Sequence, residues 1–241
     1  MHKPTRINKY ITSTGLYSRK AADRLVQQGL VLINRELAKL GDQVPAGAEV
    51  TVDGKTIQPI TDAETIVIAL NKPVGVVCTA AKTDARNIID FVNHESRVFP
   101  VGRLDKDSQG LILLTNKSGL ADKILRSNNQ HEKEYQVTVN KPITEDFIRG
   151  MSNGVPMLGE VTKACEVVKK SEFVFSITLT QGLNRQIRRM CKHFSYCVKK
   201  LERLRIMHIG LGELPEGQWR DLSAEELSLT LALLDSESHD G

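Results

Sequence analysis

The stretch Val101–Asn116 constrains the fold of this chain more than any other. Its second half contains four consecutive apolar residues, Leu111–Leu114, and such a run is typical of a strand buried on both faces. Its first half is a charged turn between Gly102 and Gly110, which allow backbone conformations closed to other residues. We therefore predict a core strand leaving a tight polar turn, with Asp105 held rigidly at a surface cleft. The alternative is that Asp105 only stabilises the turn.

The composition predicts a soluble globular protein with one large domain or two unequal ones. Of the 241 residues, 26% are charged and 40% are hydrophobic, which is ordinary for this class. No apolar run approaches membrane-spanning length, and the N-terminus lacks the apolar core of a secretory signal. The four cysteines form no CxxC pair. We therefore expect reduced thiols, a cytoplasmic location and no membrane partner.

The positive charge is unevenly distributed along the chain. The net charge is only +4, but one segment is strongly basic. Its cations are Arg185, Arg188, Arg189, Lys192, Lys199, Lys200, Arg203 and Arg205. Such a cluster in a nearly neutral chain indicates an anionic polymer as partner, although a solvated helix face would have the same composition.

The N-terminal region has the pattern of two short helices on a small sheet. Arg6–Thr14 has the pattern of one helix, and Ser18 is suited to cap a second helix that runs to about Gln28. The short runs Leu30–Ile33 and Glu49–Val52 are typical of strands. Both helices carry cations, namely Arg6, Lys9, Arg19, Lys20 and Arg24.

These residues resemble an S4 RNA-binding domain. The Ser18-Arg19 pair and the segment Gly29–Asn34 match the pattern of that domain, whereas Arg35 stands where a glycine is usual. The resemblance implies binding of structured RNA by charge and shape. The RNA-binding residues that it implies are Arg6, Lys9, Ser18, Arg19 and Lys20. We expect this domain to cover residues 1–60 and a polar linker to cover 61–65.

The remaining chain, residues 66–241, is predicted to form a larger α+β domain. Val161–Val168 and Phe173–Thr180 have the pattern of an antiparallel pair, and Asn184–Phe194 that of a strongly basic helix. Ser223–Leu234 is predicted to be a final helix with a capping box. Strands and helices interleave without a regular βαβ repeat, which favours a mixed sheet flanked by helices over a Rossmann or TIM fold.

Four motifs of this larger domain resemble one family. They are KPVG at Lys72–Gly75, GRLDKDSQGLILLTN at Gly102–Asn116, KEY at Lys133–Tyr135 and GLNRQIRRMC at Gly182–Cys191. Together they are similar to the RNA pseudouridine synthases, in the branch with an N-terminal S4 domain that modifies ribosomal RNA. The second and fourth motifs are very specific, while KEY alone would be weak. The resemblance covers nearly the whole chain and implies a mainly antiparallel sheet.

The resemblance implies a reaction that needs no cofactor and no metal. Uridine in RNA is detached at N1, turned, and rejoined to the ribose through C5. A fixed carboxylate can attack the sugar or base, or abstract a proton, and the resemblance assigns this role to Asp105. Arg188 matches the arginine that pairs with this carboxylate, which would lower its pKa by about 1–3 units. Tyr135 matches the aromatic residue that stacks on the flipped base.

Further residues are expected around the site. Those expected to contact phosphate or support the pocket are Arg103, Asn184, Arg185, Arg189 and Arg203. Leu201 is the expected apolar contact beneath the base, and Asp107 is the rival carboxylate. The set Cys191, His193 and Cys197 lacks a fourth ligand and a usual zinc spacing, so we expect no metal there.

The substrate is expected to be 23S ribosomal RNA, modified by a monomeric enzyme. The same chemistry on small-subunit ribosomal RNA or a tRNA anticodon arm is an alternative. A non-catalytic S4 ribosome-assembly factor is a second, and the intact set of Asp105, Tyr135 and Arg188 argues against it. A third is an RNA glycosidase, which would release free uracil.

Overall fold

The computed structural model of the protein describes residues 4–81, 84–125 and 131–236. It divides into two compact units. The first unit comprises the described part of Met1–Ile66 together with His94–Phe99 and Thr115–Ala121. The second comprises the described parts of Val67–Asn93, Pro100–Leu114 and Asp122–Gly241. No helix in these described ranges has the length and hydropathy needed to span a lipid bilayer.

The first unit contains two short helices, as predicted: α1 (Ile7–Ser13) and α2 (Arg19–Gln27). The hydroxyl of Ser18 caps α2 by accepting a hydrogen bond from the N–H of Ala21 at 3.2 Å. Its strands are β1 (Thr5–Arg6), β2 (Val31–Ile33), β3 (Glu36–Leu37), β4 (Gln43–Val44), β5 (Val50–Val52) and β6 (Lys55–Thr56). Four of them form a sheet in the order β3-β2-β5-β6, and β1 pairs with β4.

The turns of this small sheet use the left-handed backbone region. Asn34 and Arg35 have φ of 49° and 71°, and Asp53 and Gly54 have φ of 50° and 73°. Two-residue hairpin connections favour this geometry because it matches the twist of the strands. Arg35 thus occupies the position of the usual glycine in a conformation that is unfavourable for a residue with a side chain.

The predicted linker, residues 61–65, is held by hydrogen bonds within the first unit. The carboxylate of Glu64 accepts bonds from the N–H of Thr61 at 2.9 Å and from its hydroxyl at 2.7 Å. The side-chain amide of Asn116 donates to the carbonyl of Glu64 at 2.9 Å. The segment is therefore anchored by the stretch Thr115–Ala121, which belongs to the same unit.

A mixed sheet, nine-stranded over the described residues, forms most of the second unit. The remaining strands of the chain are β7 (Val67–Lys72), β8 (Phe99–Pro100), β9 (Gln109–Thr115), β10 (Lys133–Val139), β11 (Pro156–Met157), β12 (Glu160–Val161), β13 (Glu166–Lys169), β14 (Val174–Leu179), β15 (Val198–Ile206), β16 (Ile209–Gly210) and β17 (Trp219–Asp221). The main sheet runs in the order β13-β14-β10-β15-β9-β7-β17. β15 is parallel to β9, whereas β10, β13, β14 and β15 pair antiparallel among themselves. The predicted mixed, mainly antiparallel sheet is confirmed.

The predicted core strand is confirmed as β9. Leu111–Leu114 are completely buried, as expected for a strand covered on both faces. A second core lies around β10 and β14, where Val137, Phe175 and Ile177 are also inaccessible to solvent. The polar turn that precedes β9 is therefore attached to one of the most deeply buried strands of the protein.

Five helices follow α2 along the described chain. They are α3 (Ile88–Val92), α4 (Ser118–Leu125), α5 (Glu145–Ser152), α6 (Gln186–His193) and α7 (Ala224–Ser236). The predicted basic helix is α6. The capping box before α7 is confirmed, because Glu226 donates its N–H to the hydroxyl of Ser223 at 3.1 Å and accepts from the N–H of Ser223 at 2.9 Å.

The predicted strand Val161–Val168 is wrong in its first half. β12 ends at Val161 and pairs with β11, and β13 begins only at Glu166. The hydroxyl of Thr162 accepts a hydrogen bond from the N–H of Val155 at 2.9 Å, and the N–H of Thr162 donates to the carbonyl of Val155 at 3.1 Å. This local pairing separates the short β11–β12 hairpin from the main sheet.

Candidate active site

The turn before β9 is held in place by the loop that follows β7. The Sγ atom of Cys78 accepts a hydrogen bond from the N–H of Leu104 at 3.3 Å and donates one to the carbonyl of Leu104 at 3.2 Å. The N–H of Gly75 donates to the carbonyl of Lys106 at 2.7 Å. These contacts fix the backbone on both sides of Asp105, so its carboxylate projects from a rigid support.

A cavity of about 610 Å³ lies beside this carboxylate. It is lined by residues of the loop Val74–Cys78, by the turn Arg103–Asp107 and by Arg185. Its volume falls in the range of sites that bind small molecules or single nucleosides. The side chain of Asp105 is 35% exposed, so the structure places it where a ligand in the cavity would reach it.

Arg185 binds both carboxylates of the turn. Its two terminal nitrogens contact Asp107 at 3.1 and 2.9 Å, and one of them also reaches Asp105 Oδ2 at 3.4 Å. The hydrogen bonds from Arg185 hold the pKa of the Asp107 carboxyl below its usual value, although burial acts in the opposite direction. Asp107, which we considered as a rival catalytic carboxylate, is thus the main ion-pair partner of Arg185.

Arg188 does not make the ion pair that the sequence suggested. Its Nη2 atom donates to the carbonyl of Asp107 at 2.8 Å and to the hydroxyl of Ser108 at 3.1 Å, and lies 3.5 Å from the Asp107 carboxylate. The direct contact to Asp105 comes from Arg185 instead. The reason is geometric, because Arg188 lies one turn into α6 and faces the end of the charged turn, whereas Arg185 precedes the helix at φ 50°.

The other polar residues predicted around the pocket divide into two groups. Arg103 is exposed and lines the cavity. Asn184 and Arg189 are also exposed, but Arg189 donates to the carbonyl of Asn184 at 3.0 Å and to its side-chain oxygen at 3.2 Å. This pair therefore stabilises the start of α6, and neither residue contributes to the cavity lining.

Tyr135 and Arg203 lie opposite each other on the adjacent strands β10 and β15. They are register partners in the β10–β15 ladder, and the guanidinium carbon of Arg203 lies 6.0 Å from the centre of the Tyr135 ring. Two residues further along β10, Val137 is the register partner of Leu201. Leu201 is buried in the same core against which Tyr135 packs. The predicted aromatic residue and the predicted apolar contact thus lie on one face of the sheet.

The sequence did not indicate how deeply three cations of this region are buried. Lys72 is 0% exposed and Arg203 is 4% exposed. Burial lowers the pKa of Lys72, and burial together with the charge of Arg203 lowers the pKa of Lys133 to about 8. In the sequence, Lys72 stands out only as the first residue of the KPVG motif, directly after an apolar run.

The RNA-binding residues implied by the S4 resemblance lie on the surface of the first unit. All five are exposed: Arg6, Lys9, Ser18, Arg19 and Lys20. The hydroxyl of Ser18 already serves as the helix cap of α2. Lys9 extends from α1, Arg19 and Lys20 extend from α2, and Arg6 ends β1 directly before α1. Exposed cations of this kind suit binding to a phosphate backbone.

Two of the thiols are poorly suited to nucleophilic chemistry. Cys191 is fully buried, and burial raises its pKa to about 12. Burial also raises the pKa of Cys165 to about 11. Across the described ranges, we find no group of three or more His, Cys, Asp or Glu side chains arranged to hold a metal ion.

Comparison with known proteins agrees with the resemblance seen in the motifs. Residues 66–193 match the family model of the RNA pseudouridylate synthases, and residues 5–50 match the S4 domain. The dual-specificity RNA pseudouridine synthase RluF of Escherichia coli strain K12 is 59% identical over 233 residues, which cover 97% of this chain and 80% of that protein. The ribosomal large subunit pseudouridine synthase B of Bacillus subtilis is 29% identical, covering 95% of this chain and 97% of that protein.

A solved structure supports the same assignment at the level of the fold. A crystal structure of a pseudouridylate synthase superimposes with a TM-score of 0.69 at 28% identity, covering 93% of this chain and 99% of that one. The family match includes the Asp105 turn, Tyr135 and α6. The chain therefore belongs to the RNA pseudouridylate synthase family and combines an S4 domain with the synthase domain.

Proposed function

We propose that this enzyme converts uridine to pseudouridine in 23S ribosomal RNA, with Asp105 as the catalytic carboxylate. The observation that carries the proposal is the position of Asp105. Its backbone is held from the neighbouring loop through Leu104 and Lys106, and its side chain opens onto a cavity of about 610 Å³. A carboxylate so placed can attack C1′ of the ribose, add to C6 of the base or abstract a proton from the sugar.

The remaining residues of the site act on the substrate or on the turn. Tyr135 stacks on the flipped uracil, because a base removed from its RNA stack needs a planar apolar partner. Arg185 neutralises the two carboxylates of the turn while the site is empty. Arg188 acts as a positioning residue, since it binds the backbone of Asp107 and the hydroxyl of Ser108.

The S4 domain, residues 1–60, supplies a second RNA-binding surface. The surface cations of α1 and α2 contact phosphates, which provide affinity and orientation without reading the base sequence. The enzyme is a monomer. It acts in the cytoplasm, where ribosomal RNA is assembled into particles. In support of the large-subunit target, the Bacillus subtilis relative is named for the ribosomal large subunit.

The test is to map pseudouridine in 23S ribosomal RNA after incubation with the enzyme. Carbodiimide adducts at pseudouridine stop reverse transcriptase, so each modified site gives a discrete stop. We expect stops at one or a few sites with the wild type and none with Asp105→Asn. Asp107→Asn is the matched control, because it removes the same charge two residues further along the same turn. Stops that survive in Asp105→Asn but vanish in Asp107→Asn would reverse the assignment.

A second RNA substrate deserves the same experiment. The Escherichia coli relative at 59% identity is named a dual-specificity enzyme, and tRNA was an alternative substrate on sequence grounds. We expect tRNA incubated with this enzyme to give carbodiimide stops that also depend on Asp105. A tRNA without stops, beside modified 23S RNA, would restrict the enzyme to the ribosomal substrate.

A further inference from the structure

Three cations of the second unit, two of them buried and one partly buried, have no carboxylate within ion-pair distance among the described residues. Lys72 and Arg203 are almost wholly buried, and Lys133 is partly buried. Each donates a hydrogen bond to a backbone carbonyl: Lys72 Nζ to that of Pro73 at 2.8 Å, Lys133 Nζ to that of His131 at 2.8 Å, and Arg203 Nε to that of Leu111 at 2.6 Å. Among the described residues, none of the three forms an ion pair within 4 Å.

One buried donor in this group lacks any partner. The Nη2 atom of Arg203 is inaccessible to solvent and makes no hydrogen bond in the described structure. A buried guanidinium normally has its N–H groups satisfied, because the loss of hydration is otherwise uncompensated. Both lysines experience the charge of Arg203, which lowers their pKa values in addition to the larger effect of burial. The fold therefore retains a positive region that destabilises the empty protein.

The location of these cations relates them to the site. Arg203 is the register partner of Tyr135. Lys133 lies two residues before Tyr135 on β10, whose pairing with β14 has no register shift, so both side chains lie on the same face. Lys72 experiences attraction from Asp105 and Asp107 as well as repulsion from Arg203. The positive region therefore includes the register partner of Tyr135, and its Lys72 lies within electrostatic range of Asp105.

The proposed reaction forms an anion that this positive region could stabilise. When the N1–C1′ bond breaks, its electron pair stays on N1, and the uracil carries a negative charge spread over its ring and carbonyl oxygens. The electron-poor C1′ is captured by the carboxylate of Asp105, or a neighbouring sugar proton passes to that carboxylate. After the ring turns, C5 bonds to C1′ while the Asp105–C1′ bond breaks or, on the second route, while the Asp105 carboxyl group returns its proton to the sugar. C5 then loses its proton and N1 gains one. The product is an isomer, so no other reactant is needed.

We infer that Arg203 and Lys133, with Lys72 behind them, form an anion site for the detached uracil, in which Arg203 donates its unpartnered N–H to a carbonyl oxygen of the base. This inference rests on the proposed function. It explains why an unpaired cation is tolerated at this position, since preorganised charge stabilises an anion that exists only during the reaction. An RNA phosphate is a poorer candidate, because Lys72 and Arg203 are hidden from the surface along which the RNA backbone would run.

The test compares two leaving groups. An RNA stem-loop spanning a mapped site is prepared with uridine or with 5-fluorouridine at the target position, since fluorine stabilises the uracil anion. The disappearance of the unmodified target nucleoside is followed in single turnovers with excess enzyme. We expect Arg203→Gln to slow the uridine substrate about 100-fold, as for the loss of one donor to a developing anion. The same variant should slow the 5-fluorouridine substrate by a factor that is at least about 5 times smaller, because the fluorinated anion depends less on the cation.

Two further variants make the result decisive. Lys133→Met should show the same substrate-dependent defect at smaller size, about 10-fold on uridine, and it decides the matter if Arg203→Gln does not fold. Arg205→Gln is the matched control, since it removes a guanidinium from the same strand that is bound to Glu132 and Glu134. It should leave the ratio of the two substrates unchanged.

Equal slowing of both substrates, or no slowing, in Arg203→Gln and Lys133→Met would overturn the inference. In that case the cations would have a structural role only. A wild-type enzyme that forms no pseudouridine would instead overturn the proposed function. The two failures are therefore distinguishable.

Discussion

The α-carbon of Gly110 lies directly against the backbone of Arg203. A Cβ atom at Gly110 would lie 2.4 Å from the carbonyl oxygen and 2.6 Å from the nitrogen of Arg203. The two residues are register partners in the parallel β9–β15 pair, and Gly110 has a φ of +100°. This contact joins the strand that follows the Asp105 turn to the strand that carries Arg203, so a glycine is required for both space and conformation.

Replacement of Gly110 by alanine should separate these strands. We expect Gly110→Ala to lower the free energy of unfolding by about 3–5 kcal/mol in urea titrations, because backbone atoms cannot move aside as a side chain can. Gly159→Ala is the control, since Gly159 has a similar φ of +83° but open space around its α-carbon. It should cost only the conformational strain, about 1–2 kcal/mol. Equal losses of unfolding free energy in the two variants would show that the close contact with Arg203 does not contribute to the effect.

Loss of the Arg185 guanidinium should affect activity more than stability. In Arg185→Gln, the carboxylates of Asp107 and Asp105 lose a shared partner, and their repulsion disturbs the turn that carries Asp105. We expect kcat/KM to fall about 10–100-fold, with a change in unfolding free energy within about 1 kcal/mol because the pair is largely exposed. Arg149→Gln, which breaks a surface pair with Asp146 on α5, should leave activity unchanged. Full activity in Arg185→Gln would refute this role.

The partly buried Lys133 should make stability depend on alkaline pH. Its pKa is lowered by burial, and then by Arg203, from 10.5 to about 8 in the folded protein. Between these values the unfolded chain binds more protons, so stability should rise as the pH increases from about 8 to 10.5. At pH 7, Lys133→Met should therefore be more stable than the wild type, by about 1–2 kcal/mol after allowance for solvent screening.

The control for this prediction is the pH dependence itself. The advantage of Lys133→Met, measured by urea unfolding at several pH values, should shrink as the pH approaches 10. An advantage that stayed constant with pH would show that the substitution acts through packing rather than through charge.

The thiols should differ sharply in reactivity. Cys197 is exposed, whereas Cys191 is buried with its pKa raised to about 12 and Cys165 has its pKa raised to about 11. Because the thiolate is the reactive form, we expect iodoacetamide at pH 7.5 to modify Cys197 in the native protein and to spare the other two. Mass spectrometry of tryptic peptides would show the pattern, with urea-unfolded protein as the fully modified reference. Early modification of Cys191 would contradict its burial.

Much of the architecture was predictable from local patterns. The apolar run Leu111–Leu114 identified the central strand, and Ser18 and Ser223 identified two helix starts, because caps and strand burial depend on residues close together in sequence. The same reasoning failed at Val161–Val168. There, the hydrogen bonds between Thr162 and Val155 interrupt a pattern that looks continuous, and only the folded chain brings those residues together.

The amino-acid sequence by itself determined the family, the S4 and synthase regions, and the turn that carries Asp105, since these depend on contiguous motifs. Only the tertiary structure decided which arginine contacts Asp105, how deeply Lys72 and Arg203 are buried, and that a donor of Arg203 has no partner among the described residues. Charge, burial and hydrogen bonding at these positions arise from strands and helices far apart in the chain. A motif specifies which residues are present, whereas their partners depend on the packing of the sheet around them.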